Sequence, residues 1–316
     1  RSIHIRKKRK NLYKKIQTLV IDEISMVRSD LLDCINAFLR IHGPHPKKPF
    51  GGVQMLFFGD LYQLPPVVTS QERQIFGAGS AVVRDGGKRS GYDSPYFFDS
   101  PAFADLDMEF IELEKIYRQK DEAFIGLLNA IRNNSATEEH MAFLNQRCRP
   151  DFHPDERDFY IYLTTTNDLA DRINRDRLEQ IPSPLVHYKG EMTGEFESRA
   201  LPTQLELDLK KGAQVMLLNN DLRGRWMNGS LGKIVDIKKK SGSAEGIAVE
   251  LSEGGVVEVT PYTWEMFRFF YNEEADTLDS ETIGSFTQYP LRLAWAVTIH
   301  KAQGKTFPRV IVDIGR

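Results

Sequence analysis

The segment "TLVID" (18–22) is a short apolar run rich in β-branched residues, the pattern of a parallel strand buried on both faces. Helical spacing follows. Leu31, Leu32, Ile35, Phe38 and Leu39 repeat along 29–41, with Ser29 placed to cap the helix. After the turn-rich "HGPHPKKPFGG", a second apolar run, "VQMLFF" (53–58), ends at Gly59 and Asp60. Strand, helix, strand is a βαβ unit, which predicts a right-handed α/β layer. Residues 70–95 are polar and glycine-rich and read as a surface excursion. Beyond them "EFIEL" (109–113) predicts a strand, "DEAFIGLLNAIRNN" and "TEEHMAFLNQRC" helices, "FYIYLTT" a strand and "NDLADRINRDRLEQI" a helix. From about residue 208 to 260, short strands alternate with Gly, Asn and Ser turns such as "KKKSGSAEG" and "SEGG", which predicts a small β-barrel insertion. The α/β pattern returns at 289–316, where "LAWAVTIHKAQ" reads as helix and "RVIVDIG" as strand.

The "GKT" at 304–306 raises the question of a phosphate loop. In G-x-x-x-x-G-K-[ST] a glycine turn between strand and helix aims backbone N–H groups at phosphate. Here Ile299 holds the place of the first glycine, and the predicted order is helix, glycine, strand. Gly304 therefore reads as the cap of a helix C-terminus. No G-x-x-x-x-G-K-[ST] occurs in the 316 residues.

With 41% hydrophobic residues, the chain has enough apolar surface for two or three domains. No apolar run approaches the roughly 18 to 20 residues of a membrane helix, and an intracellular setting is the default expectation. Cys34 and Cys148 lie far apart with no C-x-x-C partner, so they read as small core or half-buried residues. The net charge of −2 hides an asymmetry: residues 1–15 hold eight of the 42 basic residues and no acid, leaving 34 basic against 44 acidic. Such a tract suits a phosphate backbone or, equally, a solvated helix face.

Asp22 and Glu23 in "LVIDEISMV" stand at the carboxyl end of the first strand, where open α/β sheets place ligands. Adjacent residues there point in different directions. One carboxylate can hold magnesium while the other orients a water for attack on a γ-phosphate; an acidic helix start is the structural alternative. The next strand ends "GDLYQLPPV", again at a carboxyl edge, where Gln63 could reach the same phosphate and Pro65 and Pro66 stiffen the turn. His42 and His45 in "HGPH" form no metal-ligand set.

Taken in order, "LVIDEISMV", "PFGG", "GDLYQLPPV", "IYRQ", "LTTTNDLADRIN", "KKGAQVMLLNND", "NGSLG" and "LAWAVTIHKAQGKTF" resemble the Pif-one family of superfamily-one DNA helicases, collinearly from residue 19 to 314. The resemblance implies an α/β fold of two RecA-like (P-loop NTPase type) parallel-sheet domains, the first incomplete, with an SH3-like β-barrel inserted in the second. It places the C-terminal part of the first domain at 1–110, the second at 111–207 and 289–316, and the insertion at 208–288. ATP would lie between the domains and single-stranded or forked DNA across their tops, moved 5′ to 3′.

The resemblance also implies roles. Asp22 would hold magnesium and Glu23 the attacking water, with Gln63 near the γ-phosphate and Pro65 and Pro66 close to DNA. Arg118 in "YRQ" would be an arginine finger, or else an interdomain salt bridge. Thr164, Thr165, Thr166 and Asn167 would offer hydroxyls and amides to DNA phosphate, although Thr166 or Asn167 can equally cap its helix. "TIHKAQG" would link ATP to DNA, with Thr298, His300 and Lys301 on the DNA backbone and Gln303 and Gly304 nearer the nucleotide. Asn228 and Gly229 fit a tight turn with positive φ, and Trp226 either packs the barrel or stacks on a base.

The family's phosphate loop would lie upstream of residue 1 and its second arginine finger downstream of Arg316. The chain is therefore expected to be the middle of a helicase, to hydrolyse ATP poorly by itself and to act as a monomer. Its expected location is the cytoplasm of a bacterial-type cell, or the nucleus or mitochondrion of a eukaryote. A RecD-like or relaxase-type helicase shares these motifs, though "PFGG" and the short spacing of the first two motifs favour the Pif-one type. A non-catalytic DNA-binding module derived from a helicase is the alternative of another class.

Overall fold

A computed structural model describes residues 12–70, 72–76, 82–84, 88–90, 92–117, 119–155, 158–196, 201–238, 246–272 and 277–312. Two compact units emerge: residues 1–150 with 270–279, and residues 151–269 with 280–316.

In the first unit, β1 (Thr18–Ile21) and β2 (Gln54–Phe57) run parallel, with Ile21 opposite Phe57, and α1 (Ser29–His42) connects them. Leu32 and Leu39 on α1 are buried against Phe50, Val53 and Phe97, and Leu19, Ile21, Met55 and Phe57 pack onto the same cluster. Burying each such side chain contributes about 1.5–3 kcal/mol, so α1 is held by this one face. The other face of the strand pair is open: Val20 is 55% and Leu56 38% exposed. The expectation of a strand buried on both faces is thus corrected, because a helix covers only one side of the pair. Residues 109–113, expected as a strand, have no sheet partner among the described residues, and Phe110 is 82% exposed. β propensity alone makes no strand where no partner supplies the ladder. A short hairpin, β3 (Val82–Arg84) with β4 (Lys88–Ser90), lies in the expected surface excursion. Three helices follow: α2 (Pro101–Ala104), α3 (Glu122–Arg132) and α4 (Glu138–Asn145).

The second unit is built on a three-stranded parallel sheet. Its centre is β5 (Ile161–Thr164), and α5 (Asn167–Gln180) follows that strand directly. Next come β6 (Val186–Lys189), β7 (Glu191–Gly194) and β8 (Glu206–Leu209), with β6 and β8 paired. Further strands are β9 (Gln214–Leu217), β10 (Leu231–Lys238), β11 (Gly246–Leu251), β12 (Val256–Val259), β13 (Tyr262–Asn272), β14 (Thr277–Gln288) and β15 (Leu291–Leu293), with 270–272 of β13 and 277–279 of β14 counted in the first unit. β12-β11-β10-β9-β15 form one sheet and β13-β14-β7 another. Val215, Leu217, Ile234, Ile247, Val249 and Leu291 of the first sheet share one buried core with Leu207 and Leu209 of β8. β16 (Ala296–Thr298), α6 (Ile299–Ala302) and β17 (Val310–Val312) close the unit, with β16 and β17 flanking β5 in parallel.

The stretch "LAWAVTIHKAQ", expected as one helix, is therefore a strand followed by a single helical turn. Its spacing suits a helix, but the backbone of 295–296 is claimed by a long-range partner. The Asn174 side chain on α5 accepts from the N–H groups of Trp295 and Ala296 and donates to Ala296 O, all at 2.9–3.0 Å. Both cysteines are exposed, which corrects the core reading. Among the described residues no helix is long and apolar enough to cross a membrane.

Candidate functional site

Each unit carries one carboxyl sheet edge with polar side chains on it. In the first unit the chain leaves β1 through Asp22 and Glu23 and leaves β2 through Gly59 and Asp60. The two exits are latched together: Phe58 N–H donates to Ile21 O at 2.9 Å and Ile24 N–H to Phe58 O at 2.8 Å. Gly59 permits this approach, since a Cβ there would stand 2.8 Å from Ile24 Cγ2 and 3.1 Å from the backbone nitrogens of Ile24 and Ser25.

Glu23 adopts a left-handed backbone (φ 51°, ψ 44°), a conformation that is uncommon for a non-glycine residue and concentrates at functional sites. Its N–H donates to Asp22 Oδ1 at 2.9 Å and so steers that exposed carboxylate. On the second exit, Asp60 organises the turn. Its Oδ1 accepts from Tyr62 N–H at 3.0 Å and its Oδ2 lies 3.4 Å from Gln63 Nε2. Arg132, the last residue of α3, donates to Asp60 Oδ1 at 3.1 Å and lies 4.6 Å from the centre of the Tyr62 ring. Arg132 thus ties α3 to the turn that presents Gln63, a role its sequence position did not signal. Pro65 is exposed and Pro66 buried.

Among the described residues no three His, Cys, Asp or Glu side chains are arranged to hold a metal. Magnesium does not require such a cage, because it is commonly held by one or two carboxylates together with phosphate and water. The exposed carboxylate of Asp22, oriented by the following amide at a sheet edge, fits that mode.

In the second unit Thr298 lies opposite Thr164, so β5 and β16 end together and each leads into a helical turn. Thr166 caps α5, its Oγ accepting from Leu169 N–H at 3.3 Å, and Thr298 caps α6, accepting from Lys301 N–H at 3.3 Å. Thr164 is fully buried and donates to Thr166 O at 3.1 Å, and Thr298 is 4% exposed. These two hydroxyls therefore serve the fold, while Thr165, Thr166, Asn167, His300 and Lys301 face solvent on the shared edge. Gln303 and Gly304 follow directly, and Gly304 takes φ 73° just past the helical turn, as a C-terminal cap position asks.

Gly229 has the expected positive φ of 100°. Trp226 is 7% exposed within a hydrophobic core and its Nε1–H donates to Asn219 Oδ1 at 3.0 Å, which settles its two readings in favour of packing. Arg118 lies outside the described residues. Asn174, which ties α5 to the entry of β16, is a residue that the sequence did not single out.

Comparison with known proteins bears on the family and the fold. Residues 1–84 match the profile of PIF1-like helicases. The ATP-dependent DNA helicase Pif1 of Campylobacter jejuni is 28% identical over 97% of this chain, and the human ATP-dependent DNA helicase PIF1 is 32% identical over 95%. The chain spans 66% and 42% of their respective lengths, less than two thirds of each. Unliganded Pif1 from Bacteroides sp superposes with a TM-score of 0.82 at 34% identity, covering 99% of this chain and 68% of that one. A Bacteroides Pif1 helicase in complex with ADP-AlF3 and ssDNA gives a TM-score of 0.61 at 34% identity, covering 99% and 68%. The parallel sheets are those of a RecA-like α/β fold, and with 34% identity to a Pif1 covered over 68% of its length the chain belongs to the PIF1-like helicase family.

Proposed function

We propose that these residues form part of an ATP-dependent DNA helicase that couples ATP hydrolysis to 5′-to-3′ movement on single-stranded DNA. The observation that carries the reading is the latched pair of strand exits in the first unit, where Asp22 and Glu23 meet the turn that bears Gln63. Bound magnesium nucleotide supplies the phosphoryl group and its charge neutralisation. Asp22 would hold the metal ion. Glu23, offset from it by the left-handed backbone, would accept the proton of the attacking water, and Gln63, ordered through Asp60, would sense the terminal phosphate. Arg118 would stabilise the charge that grows on the transferring group. Gln303 and Gly304 would lie toward the nucleotide.

In the second unit, Thr165, Thr166, Asn167, His300 and Lys301 would track the DNA backbone. The exposed polar edge and the family's printed activity, that of ATP-dependent DNA helicases, support this assignment. Pro65, which is exposed, would contact DNA, and Pro66, which is buried, would support the turn beneath it.

The test uses a polypeptide that carries these residues together with a Walker A loop. Glu23→Gln should still bind ATP while DNA-stimulated turnover falls by about 10²-fold or more, the usual loss for a general base. Arg118→Ala should lose turnover and keep DNA affinity. Full turnover by Glu23→Gln would remove the assignment of the water-activating group.

A further inference from the structure

We infer that Arg292, Lys301 and Lys305, with the Asn228 amide beside them, form one phosphate-binding cluster that takes a backbone phosphate of single-stranded DNA. The inference rests on the DNA reading above and deepens it, adding Arg292, Lys305 and Asn228 to an interface expected to use Lys301.

Arg292 is the middle residue of β15 and lies opposite Met216 on β9. Its side chain is partly buried, and among the described residues it has no hydrogen bond and no ion pair. Arginine taken out of water is ordinarily paired with a carboxylate or carbonyl. Burial pushes its pKa below the ordinary guanidinium value, and only Asp171, one turn along α5 from Asn167, acts in the other direction.

Lys301 and Lys305 bring two further cations to the same place. Burial lowers the pKa of each, and the charge of Arg292 lowers both again. Asp171 offsets this for Lys301 alone. Two lysines whose charge Arg292 disfavours, with the Asp171 carboxylate acting on Arg292 and Lys301, make a region that an oxyanion would relieve.

The backbone fixes where the cluster sits. Gly229 N–H donates to Leu217 O at 2.8 Å and Leu218 N–H to Pro290 O at 2.9 Å, so the 228–229 turn and the start of β15 flank the end of β9. The Lys305 side chain lies across that turn, its Nζ 3.5 Å from the place a Gly229 Cβ would take and 3.3 Å from Asn228 Oδ1. Asn228 thereby aims the ammonium while leaving its other protons for an incoming oxygen. Lys301 enters from α6, beside the exposed His300 on the edge already assigned to DNA. The shared chemistry is that of a phosphate oxyanion, and continuity with this edge favours a DNA phosphate over one from a nucleotide.

The experiment is fluorescence anisotropy of a labelled oligo-dT with the 316-residue chain across a salt series. The variants are Arg292→Gln, Lys305→Met and, as a control away from the cluster, the exposed Lys189→Gln. Arg292→Gln and Lys305→Met should each weaken binding about 3- to 10-fold and flatten the plot of log affinity against log salt by about 0.7, the loss of one single-strand phosphate contact. Lys189→Gln should change neither. Thermal melting checks the fold, and Lys305→Met keeps the test valid if Arg292→Gln proves unstable, because Lys305 is only half-buried. Unchanged slopes in both variants, with steep binding by the parent chain, would overturn the cluster and leave the DNA reading intact. Absence of any DNA binding by the parent chain would overturn both. Loss of affinity for a fluorescent ATP analogue with DNA binding unaltered would reassign the cluster to a nucleotide phosphate and overturn it as stated.

Discussion

Gly59 and Asn174 show how single residues position the two edges. At Gly59 the cost of a side chain is steric: an added methyl meets Ile24 Cγ2 at 2.8 Å, and the nearby backbone nitrogens cannot swing aside as a flexible side chain would. Gly59→Ala should therefore destabilise by about 1–3 kcal/mol, measured by urea unfolding, and should loosen the contact between the strand exits. At Asn174 the cost is polar. Its amide satisfies two backbone N–H groups and one carbonyl at the entry to β16, and its side chain is nearly buried. Asn174→Ala should cost about 2–4 kcal/mol, because those groups lose partners away from water. Asn174→Leu, close in volume but equally unable to pair, should fare no better; recovery of full stability in Leu would show that packing, not pairing, is what the site needs.

At the scale of elements, what was legible in the sequence divides by the range of the interaction that decides it. The helix at Ser29–His42 and the strands around it were readable because a local apolar period and an adjacent strand agree. "EFIEL" carries the composition of a strand, but composition cannot report whether a partner strand exists. "LAWAVTIHKAQ" carries helical spacing, and what overrides it is an amide 121 residues away in sequence. The same logic hides Arg132, whose partner Asp60 is 72 residues upstream. Asp22, Glu23 and Gln63 could be singled out because chemistry at strand ends follows from strand prediction alone.

The start of α1 offers a pH test. Arg28 bridges Asp30 and Glu72, both at 2.6 Å, and this guanidinium, with help from Thr69, holds the Glu72 carboxyl at about 2, below its usual 4.5. A carboxylate with a depressed folded-state pKa stabilises above its unfolded value and loses that contribution as pH falls. The melting temperature of Glu72→Gln should therefore lie below the parent's at neutral pH. The gap should close between about pH 4.5 and pH 2. A gap that persisted at pH 2 would assign the effect to packing.

For the whole molecule, the two functions read from the two units draw on different parts of the chain, and so they should separate in solution. On the proposed reading, DNA tracking would need the exposed edge of the second unit, whose strands, caps and bridging amide are described. Nucleotide turnover needs a cradle of backbone N–H groups and a lysine around the phosphates, and no G-x-x-x-x-G-K-[ST] occurs among the 316 residues. Lys305 and Thr306 do not substitute, because they follow a helical turn and lead into a strand, the reverse of the order that points amides at a phosphate. The pure 316-residue chain should accordingly bind single-stranded DNA, with an affinity that falls steeply with salt as counterions are released, and show little DNA-stimulated ATP hydrolysis. Both are measured in one buffer, by anisotropy and by phosphate release. Turnover that depends on both DNA and Glu23 would mean that other residues of this chain build a nucleotide cradle, and the division of labour between the units would then have to be redrawn.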